Sequence, residues 1–82
     1  MKPKITLFTR AGCHLCEDAK RVLSQARRRV EFDYEELDID RDPSLRDLYN
    51  EEVPVVAINE APVFRGAVDL EAFIKRVSAI MI

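Results

Sequence analysis

Residues 4–16 read KITLFTRAGCHLC, which begins as a β-strand and passes through Gly12 into the start of a helix. Both cysteines of the chain, Cys13 and Cys16, fall at this strand-to-helix junction. Two thiols three positions apart can form and break a disulfide reversibly. The free N–H groups and dipole at a helix start also lower the pKa of a thiol, which favours the reactive thiolate. The junction therefore predicts a redox-active dithiol.

The spacing of the two cysteines also predicts their roles. Helical residues at i and i+3 have Cβ atoms about 5–6 Å apart, whereas a disulfide prefers about 3.8 Å. The pair closes most easily if Cys13 lies at or just before the first helical residue. That placement exposes the Cys13 sulfur and puts Cys16 under the first turn. We therefore expect Cys13 to attack a substrate disulfide and Cys16 to resolve the mixed disulfide.

Two basic side chains stand near the dithiol. His14 lies between the cysteines, and Arg10 precedes Cys13 by three positions. Either one can stabilise a thiolate as a cation or N–H donor. The alternative for both is a solvated surface residue with no chemical role, and the residues alone leave the two interpretations open.

The helix that follows Gly12 carries one apolar stripe and ends in the basic triplet of residues 27–29, whose charges offset the helix dipole. The stripe consists of Leu15, Ala19, Val22, Leu23, Ala26 and Val30. A second strand is predicted over 31–39. Its apolar residues change phase at Glu35-Glu36, which predicts a bulge in an edge strand.

Asp42 and Pro43 then predict the N-cap and first residue of a short helix. Leu45, Leu48 and Tyr49 are expected to form its apolar side.

The continuous apolar run at 53–58 predicts a strand covered on both faces. Asn59-Glu60 predicts a tight turn into a hairpin strand at 62–65, which Gly66 ends. Asp69 is expected to cap a last helix whose apolar residues are Leu70, Phe73, Ile74, Val77, Ile80 and Met81. The predicted order is β-α-β-α-β-β-α, an α/β fold with a mixed four-stranded sheet and helices on both faces.

Composition fits one soluble domain over residues 1–82. The chain is 48% hydrophobic and 34% charged, which excludes a disordered chain. A net charge of −2 argues against a nucleic-acid partner. No apolar stretch approaches the ~20 residues that span a bilayer, and the short apolar run after Lys4 does not form a signal peptide. We expect a cytoplasmic protein, where a cysteine pair is more often catalytic or metal-binding than structural.

A metal site is the main chemical alternative. A CxxC pair is half of a structural zinc site, and the single histidine leaves the ligand set incomplete. A dimer can complete it or share an iron–sulfur cluster between two chains. The acidic run 38–42 starts like a calcium loop, but Pro43 replaces the required glycine, so a strand end with a helix cap is expected there.

With these motifs the chain resembles the glutaredoxin-like proteins of the thioredoxin superfamily, in the small branch with a Cys-His-Leu-Cys motif. The resemblance rests on LFTRAGCHLC at 7–16, LDIDRDP at 37–43, VPV at 53–55 and FRG at 64–66. It implies a thioredoxin-like fold and a cis Pro54 against the dithiol. The Val53 backbone would then bind an extended substrate or glutathione in the manner of an added strand.

Three departures from typical dithiol glutaredoxins bear on whether glutathione is the electron donor. His14-Leu15 replaces the Pro-Tyr pair between the cysteines, Glu52 replaces the threonine before Val-Pro, and Arg65-Gly66 replaces a Gly-Gly pair, with Asp69 retained. In similar proteins the Gly-Gly pair and the aspartate that follows it hold the γ-glutamyl end of glutathione. Arg65 can therefore meet a glutathione carboxylate or block the groove, and Gly66 and Asp69 remain candidate substrate-binding residues.

The resemblance implies a thiol–disulfide oxidoreductase that reduces protein disulfides or glutathione mixed disulfides. Its donor would be glutathione or a flavoprotein reductase of the thioredoxin-reductase type, with no bound cofactor, and we expect a monomer. The alternatives are a binding module that uses the dithiol to hold a metal, a cluster or a partner, and an interaction domain with a vestigial disulfide. The apolar tail at 79–82 is expected to end the last helix rather than form a dimer patch.

Overall fold

The computed structural model describes residues 2–80. Outside the described residues lie Met1, Met81 and Ile82, and with them the predictions made for Met81 and for the end of the apolar tail. The elements follow the predicted order. They are β1 (Lys4–Thr9), α1 (His14–Ala26), β2 (Asp33–Asp38), α2 (Pro43–Tyr49), β3 (Val55–Ile58), β4 (Ala61–Arg65) and α3 (Leu70–Ile80). A short 3-10 turn, Ile39–Arg41, separates β2 from α2.

The four strands form one mixed sheet in the order β2-β1-β3-β4. β1 runs parallel to β2 and antiparallel to β3, and β3 runs antiparallel to β4. All four residues of β3 are buried, as its continuous apolar sequence predicted. β1 pairs with β2 along one edge and with β3 along the other, so the dithiol loop leaves from a central strand.

Helices cover both faces of the sheet, as predicted. The larger core cluster joins α1 and α3 to one face, and its largest fully buried side chains are Ile5, Leu7, Leu23, Val56, Phe73 and Val77. A smaller cluster of Ile39, Tyr49 and Val55, with Phe8, Leu45 and Val53 packed against it, lies on the α2 face. α1 and α3 therefore bury their apolar sides against one face of the sheet, and α2 buries its apolar side against the other.

The predicted bulge at Glu35-Glu36 is wrong. β2 is an edge strand, but its pairing with β1 runs without interruption from Lys4↔Asp33 to Thr9↔Asp38. Successive side chains of a strand point to opposite faces. Tyr34 therefore packs against the larger cluster while Ile39, beyond the strand, belongs to the smaller one. The apparent change of phase reflects apolar contacts on both faces. The observed irregularity lies between β3 and β4, at Val56/Ala57.

Three apolar side chains assigned to buried stripes are exposed instead. The exposed fractions are 49% for Leu15, 61% for Leu48 and 45% for Ile80. Each lies near a helix end. In the seven-residue α2, Leu45 and Tyr49 share the buried side as an i, i+4 pair, which turns Leu48 toward solvent.

The predicted caps are confirmed. Asp42 accepts a hydrogen bond from the Ser44 N–H over 2.9 Å, and Pro43 occupies the first turn of α2. Both residues of the Asn59-Glu60 turn have positive φ, at 50° and 73°, the geometry of a tight hairpin connection. No helix within residues 2–80 combines the length and apolar composition that a bilayer crossing requires.

Candidate active site

The dithiol lies where the central strand β1 leads into α1. Cys13 is the N-cap of the helix, and a disulfide joins it to Cys16 with a Cα–Cα separation of 5.1 Å. The Cys16 N–H donates to the Cys13 sulfur over 3.1 Å. Cys13 is partly exposed, whereas Cys16 is fully buried. The predicted asymmetry between an accessible and a covered sulfur is present.

Within residues 2–80, no carboxylate lies buried beneath Cys16. Within residues 2–80 the only buried polar side chains are Thr6 and Thr9, and the Thr9 hydroxyl has no hydrogen-bond partner. The acids adjacent to Cys16 in sequence point elsewhere: Glu17 pairs with Lys20 at 3.0 Å, and Asp18 pairs with Arg21 on the outer surface of α1. The part of the chain that the structure describes therefore offers no buried carboxylate as a base for Cys16.

The segment before β3 contains a cis peptide bond between Val53 and Pro54, as the resemblance implied. Pro54 is buried, and Val53 packs half-buried against the smaller core cluster. Phe8 of β1 pairs with Val55. The cis-proline segment therefore enters the sheet at the same end at which β1 leads toward Cys13.

Arg65, the last residue of β4, pairs with Val55 and so lies at this end as well. Its Nε is 2.7 Å from Oε1 of Glu52. The next residue, Gly66, has a φ of +76° and donates its N–H to the Pro54 carbonyl over 2.8 Å. The two substitutions noted in the sequence, Glu52 and Arg65, thus pair with each other beside the cis-proline.

Arg10 is held by two other segments. Its guanidinium donates to both carboxylate oxygens of Asp40, at 2.6 and 3.2 Å, and to the main-chain and side-chain oxygens of Asn50, at 2.7 and 3.1 Å. The hydrogen bond and positive charge of Arg10 lower the pKa of Asp40 below its ordinary value, and the hydrogen bond to Asp40 raises that of Arg10. Arg10 therefore ties the dithiol loop to the 3-10 turn and the end of α2.

The remaining predicted site residues lie at helix starts. Asp69 accepts a hydrogen bond from the Ala72 N–H over 2.9 Å and caps α3. His14 is exposed on the first residue of α1. The structure thus gives Asp69 a capping role and leaves His14 in solvent, between the two cysteines in sequence.

A cleft of about 600 Å³ opens beside the dithiol loop, where β1 and β2 end. Its lining combines side chains of both signs of charge with apolar surface. The lining residues are Thr9, Arg10, Ala11, Glu17, Lys20, Glu36, Leu37, Asp38, Arg41, Asp42 and Leu45. Within residues 2–80, no group of three or more His, Cys, Asp or Glu side chains has the arrangement of a metal site.

Sequence reasoning missed the partners of the two arginines. Asp40 and Asn50 are 30 and 40 residues from Arg10, and Glu52 is 13 residues from Arg65. Glu52 did stand out as a departure from the glutaredoxin pattern, but nothing local in the sequence connects it to Arg65. Only the register of β3 and β4 brings the two side chains together.

Comparison with protein families gives a match to the family model described as Glutaredoxin-like domain (DUF836), over residues 4–78. A curated relative from Dictyostelium discoideum, Glutaredoxin-like protein YDR286C homolog, is 35% identical over 74 residues. That alignment covers 79% of this chain and 66% of the relative, so the chain spans just under two thirds of the relative's length.

Solved structures share the fold. Protein Ne2328 from Nitrosomonas europaea is 26% identical with a TM-score of 0.82, and the match covers 94% of this chain and 93% of that one. A mutant thioredoxin from Halobacterium salinarum NRC-1 is 17% identical with a TM-score of 0.75, covering 95% of this chain and 74% of that one. The mixed four-stranded sheet with three helices is the arrangement of the thioredoxin fold.

Proposed function

This chain belongs to the glutaredoxin-like domain family, and on that premise we propose that it is a thiol–disulfide oxidoreductase acting through the Cys13–Cys16 couple. The observation that carries the proposal is the geometry of the N-cap. A partly exposed sulfur accepts an N–H from the first turn of a helix, and a buried sulfur is joined to it in a disulfide. A helix start of this kind favours the thiolate form of a cysteine.

The reaction proceeds in two exchanges. The Cys13 thiolate attacks one sulfur of a substrate disulfide, forms a mixed disulfide and releases the other sulfur as a thiolate. Cys16 then loses its proton and attacks the Cys13 sulfur. The second substrate sulfur leaves as a thiolate, and the Cys13–Cys16 disulfide forms. The substrate gains two electrons and the dithiol loses two. Because Cys16 is buried, it approaches only a sulfur already bonded to Cys13.

The cis-proline segment supports a role in aligning the substrate. The main chain of Val53 lies at the same end of the sheet as Cys13, ahead of the strand that begins at Val55. An extended peptide can add to such a segment through main-chain hydrogen bonds. The proposed substrates are protein disulfides and glutathione mixed disulfides, the proposed donors are glutathione or a flavoprotein reductase, and the proposed compartment is the cytoplasm.

The test equilibrates the pure protein across a series of reduced-to-oxidised glutathione ratios, followed by alkylation of free thiols and mass spectrometry. We expect a single two-electron step in the range of known oxidoreductases, roughly −270 to −120 mV. The Cys16→Ser variant should retain one glutathione on Cys13, because the resolving thiol is missing. The Cys13→Ser variant should form no adduct, since Cys16 is covered.

Two results would count against the proposal. Thiols that stay unreactive until a chelator is added would favour the binding module that holds a metal or cluster. Equal adduct formation by the two single-cysteine variants would remove the distinction between attacking and resolving thiols.

A further inference from the structure

The ion pair between Glu52 and Arg65 flanks the segment proposed to align substrates. Glu52 precedes the cis peptide bond by one residue, and Arg65 is followed by Gly66, whose N–H binds the Pro54 carbonyl. The two side chains are 2.7 Å apart and about half exposed, at 50% for Glu52 and 52% for Arg65. The pair is therefore reachable by a ligand and close in sequence to the segment that would hold one.

Without Glu52, Arg65 would be a cation at the end of the sheet from which the dithiol loop leaves. A guanidinium binds a carboxylate through paired N–H donors, so it would attract a thiol that carries a carboxylate. With Glu52 in place, the carboxylate of such a ligand must displace the Glu52 carboxylate from Arg65, so the exchange gains little binding free energy. The ligand carboxylate is also repelled by the Glu52 carboxylate that it displaces.

The surrounding charges act in the same direction. Asp69, three residues after Gly66, is an exposed carboxylate. Arg10, the arginine of the dithiol loop, already binds Asp40 and Asn50. The excess of negative charge here therefore repels an anionic thiol. It does not repel a neutral thiol, and it attracts a cationic one.

We propose that Glu52 is a specificity-determining residue, and that its ion pair with Arg65 makes the dithiol discriminate against carboxylate-bearing thiols, glutathione included. The inference rests on the proposed function and narrows its electron donor to thiols without a negatively charged group near the sulfur. In the step concerned, a donor thiolate attacks the Cys13 sulfur and Cys16 leaves as a thiolate. A second donor thiolate then attacks the donor sulfur of this mixed disulfide. Cys13 leaves as a thiolate, and the two donor sulfurs form a disulfide. The protein dithiol has then gained two electrons.

The experiment measures second-order rate constants for reduction of the oxidised protein by three small thiols: mercaptopropionate, which is anionic, mercaptoethanol, which is neutral, and cysteamine, which is cationic. Each rate on a variant is divided by the rate of the same thiol on the parent protein, so the intrinsic reactivity of the thiol cancels. Variants are Glu52→Gln, Arg65→Gln, the double variant, and Glu51→Gln as a control that removes the same charge from the neighbouring position.

We expect Glu52→Gln to raise the rate with mercaptopropionate about 2- to 5-fold, the size typical of an exposed ion pair. The rate with mercaptoethanol should stay constant, and that with cysteamine should fall. Arg65→Gln in the same chain should abolish the gain. In 1 M salt, where the Debye length is about 3 Å, the gain should largely disappear. Glutathione should follow mercaptopropionate.

The inference is overturned if Glu51→Gln has the same effect as Glu52→Gln, because bulk charge would then explain the selectivity. It is also overturned if mercaptoethanol gains as much as mercaptopropionate, which would indicate a loosened loop. The parent's rate with mercaptoethanol tests the proposed function separately. A disulfide that no thiol reduces through Cys13 would overturn the proposed function and this inference with it.

Discussion

The main-chain N–H of Cys16 donates a hydrogen bond to the sulfur of Cys13 over 3.1 Å. This contact makes Cys13 the N-cap of α1, a position that serine, threonine or aspartate usually fills with an oxygen acceptor. In the reduced protein we expect the same N–H to face the Cys13 thiolate. The hydrogen bond that caps the helix is therefore also expected to stabilise the Cys13 thiolate.

The first prediction concerns the acidity of Cys13. In the Cys16→Ser variant, we expect the pKa of Cys13 to lie below the free-thiol value of about 8.5, because the helix N–H groups and dipole stabilise the thiolate. The measurement is the rate of alkylation by iodoacetamide as a function of pH. The same variant in denaturant is the control, and identical midpoints in the folded and unfolded chains would contradict the prediction.

The second prediction separates two roles of Asp69. Asp69→Ala should lower the free energy of unfolding by about 1 kcal/mol, because the Ala72 N–H loses its cap. Asp69→Asn should stay close to the parent, since asparagine caps about as well as aspartate. Urea unfolding of the three proteins gives the comparison. If Asp69→Asn were as destabilised as Asp69→Ala, the charge rather than the cap would hold the helix start.

The third prediction compares two leucines in helices. Leu23 is 1% exposed and belongs to the larger core cluster, whereas Leu48 is 61% exposed. Leu23→Ala should cost roughly 2–5 kcal/mol, because it removes buried apolar atoms and leaves a cavity. Leu48→Ala should change the free energy of unfolding by less than about 0.5 kcal/mol. A cost for Leu48→Ala near that of Leu23→Ala would show that α2 buries the side predicted from its sequence.

The fourth prediction concerns pH. The hydrogen bond and charge of Arg10 lower the pKa of Asp40 in the folded protein below its ordinary value of 3.8. Because the folded pKa is the lower one, the stabilisation is present above pH 3.8 and is lost as pH falls below that value and through the folded pKa. The parent protein should therefore be more stable than Asp40→Asn at pH 7, and the difference should shrink as pH falls below about 3.8.

Asp47→Asn is the matched control for this measurement, since Asp47 is an exposed aspartate on α2. Thermal unfolding midpoints from pH 7 to pH 2.5 give the comparison. A difference between parent and Asp40→Asn that stays constant over this range would show that Arg10 and Asp40 are not coupled in solution.

The sequence allowed the order of the elements, the caps and the difference in exposure between the two cysteines to be predicted because these depend on short-range geometry. A cysteine pair at i and i+3, an aspartate before a proline and an apolar run of strand length act within a few residues. The cis bond at Pro54 could not be predicted from local sequence patterns. Only the resemblance to a known family predicted it, because most X–Pro bonds in folded proteins are trans.

Predictions from local patterns were wrong where the burial of a side chain depended on which element packs against its strand or helix. Tyr34 and Ile39 pack on opposite faces of the sheet, so their change of phase signals two covered faces and no bulge. Leu48 fits an apolar stripe by spacing, yet only one narrow side of α2 meets the sheet. Periodicity identifies which residues can share a face, but it does not say how much of that face a neighbouring element covers.

By itself the sequence determined that this chain has a dithiol at a helix start within an α/β fold. Tertiary structure alone decided which charges stand around that dithiol. Arg10 reaches Asp40 and Asn50, and Arg65 reaches Glu52, across chain separations of 13 to 40 residues. Long charged side chains find partners only after the sheet register has brought distant segments together, and no local pattern encodes that register.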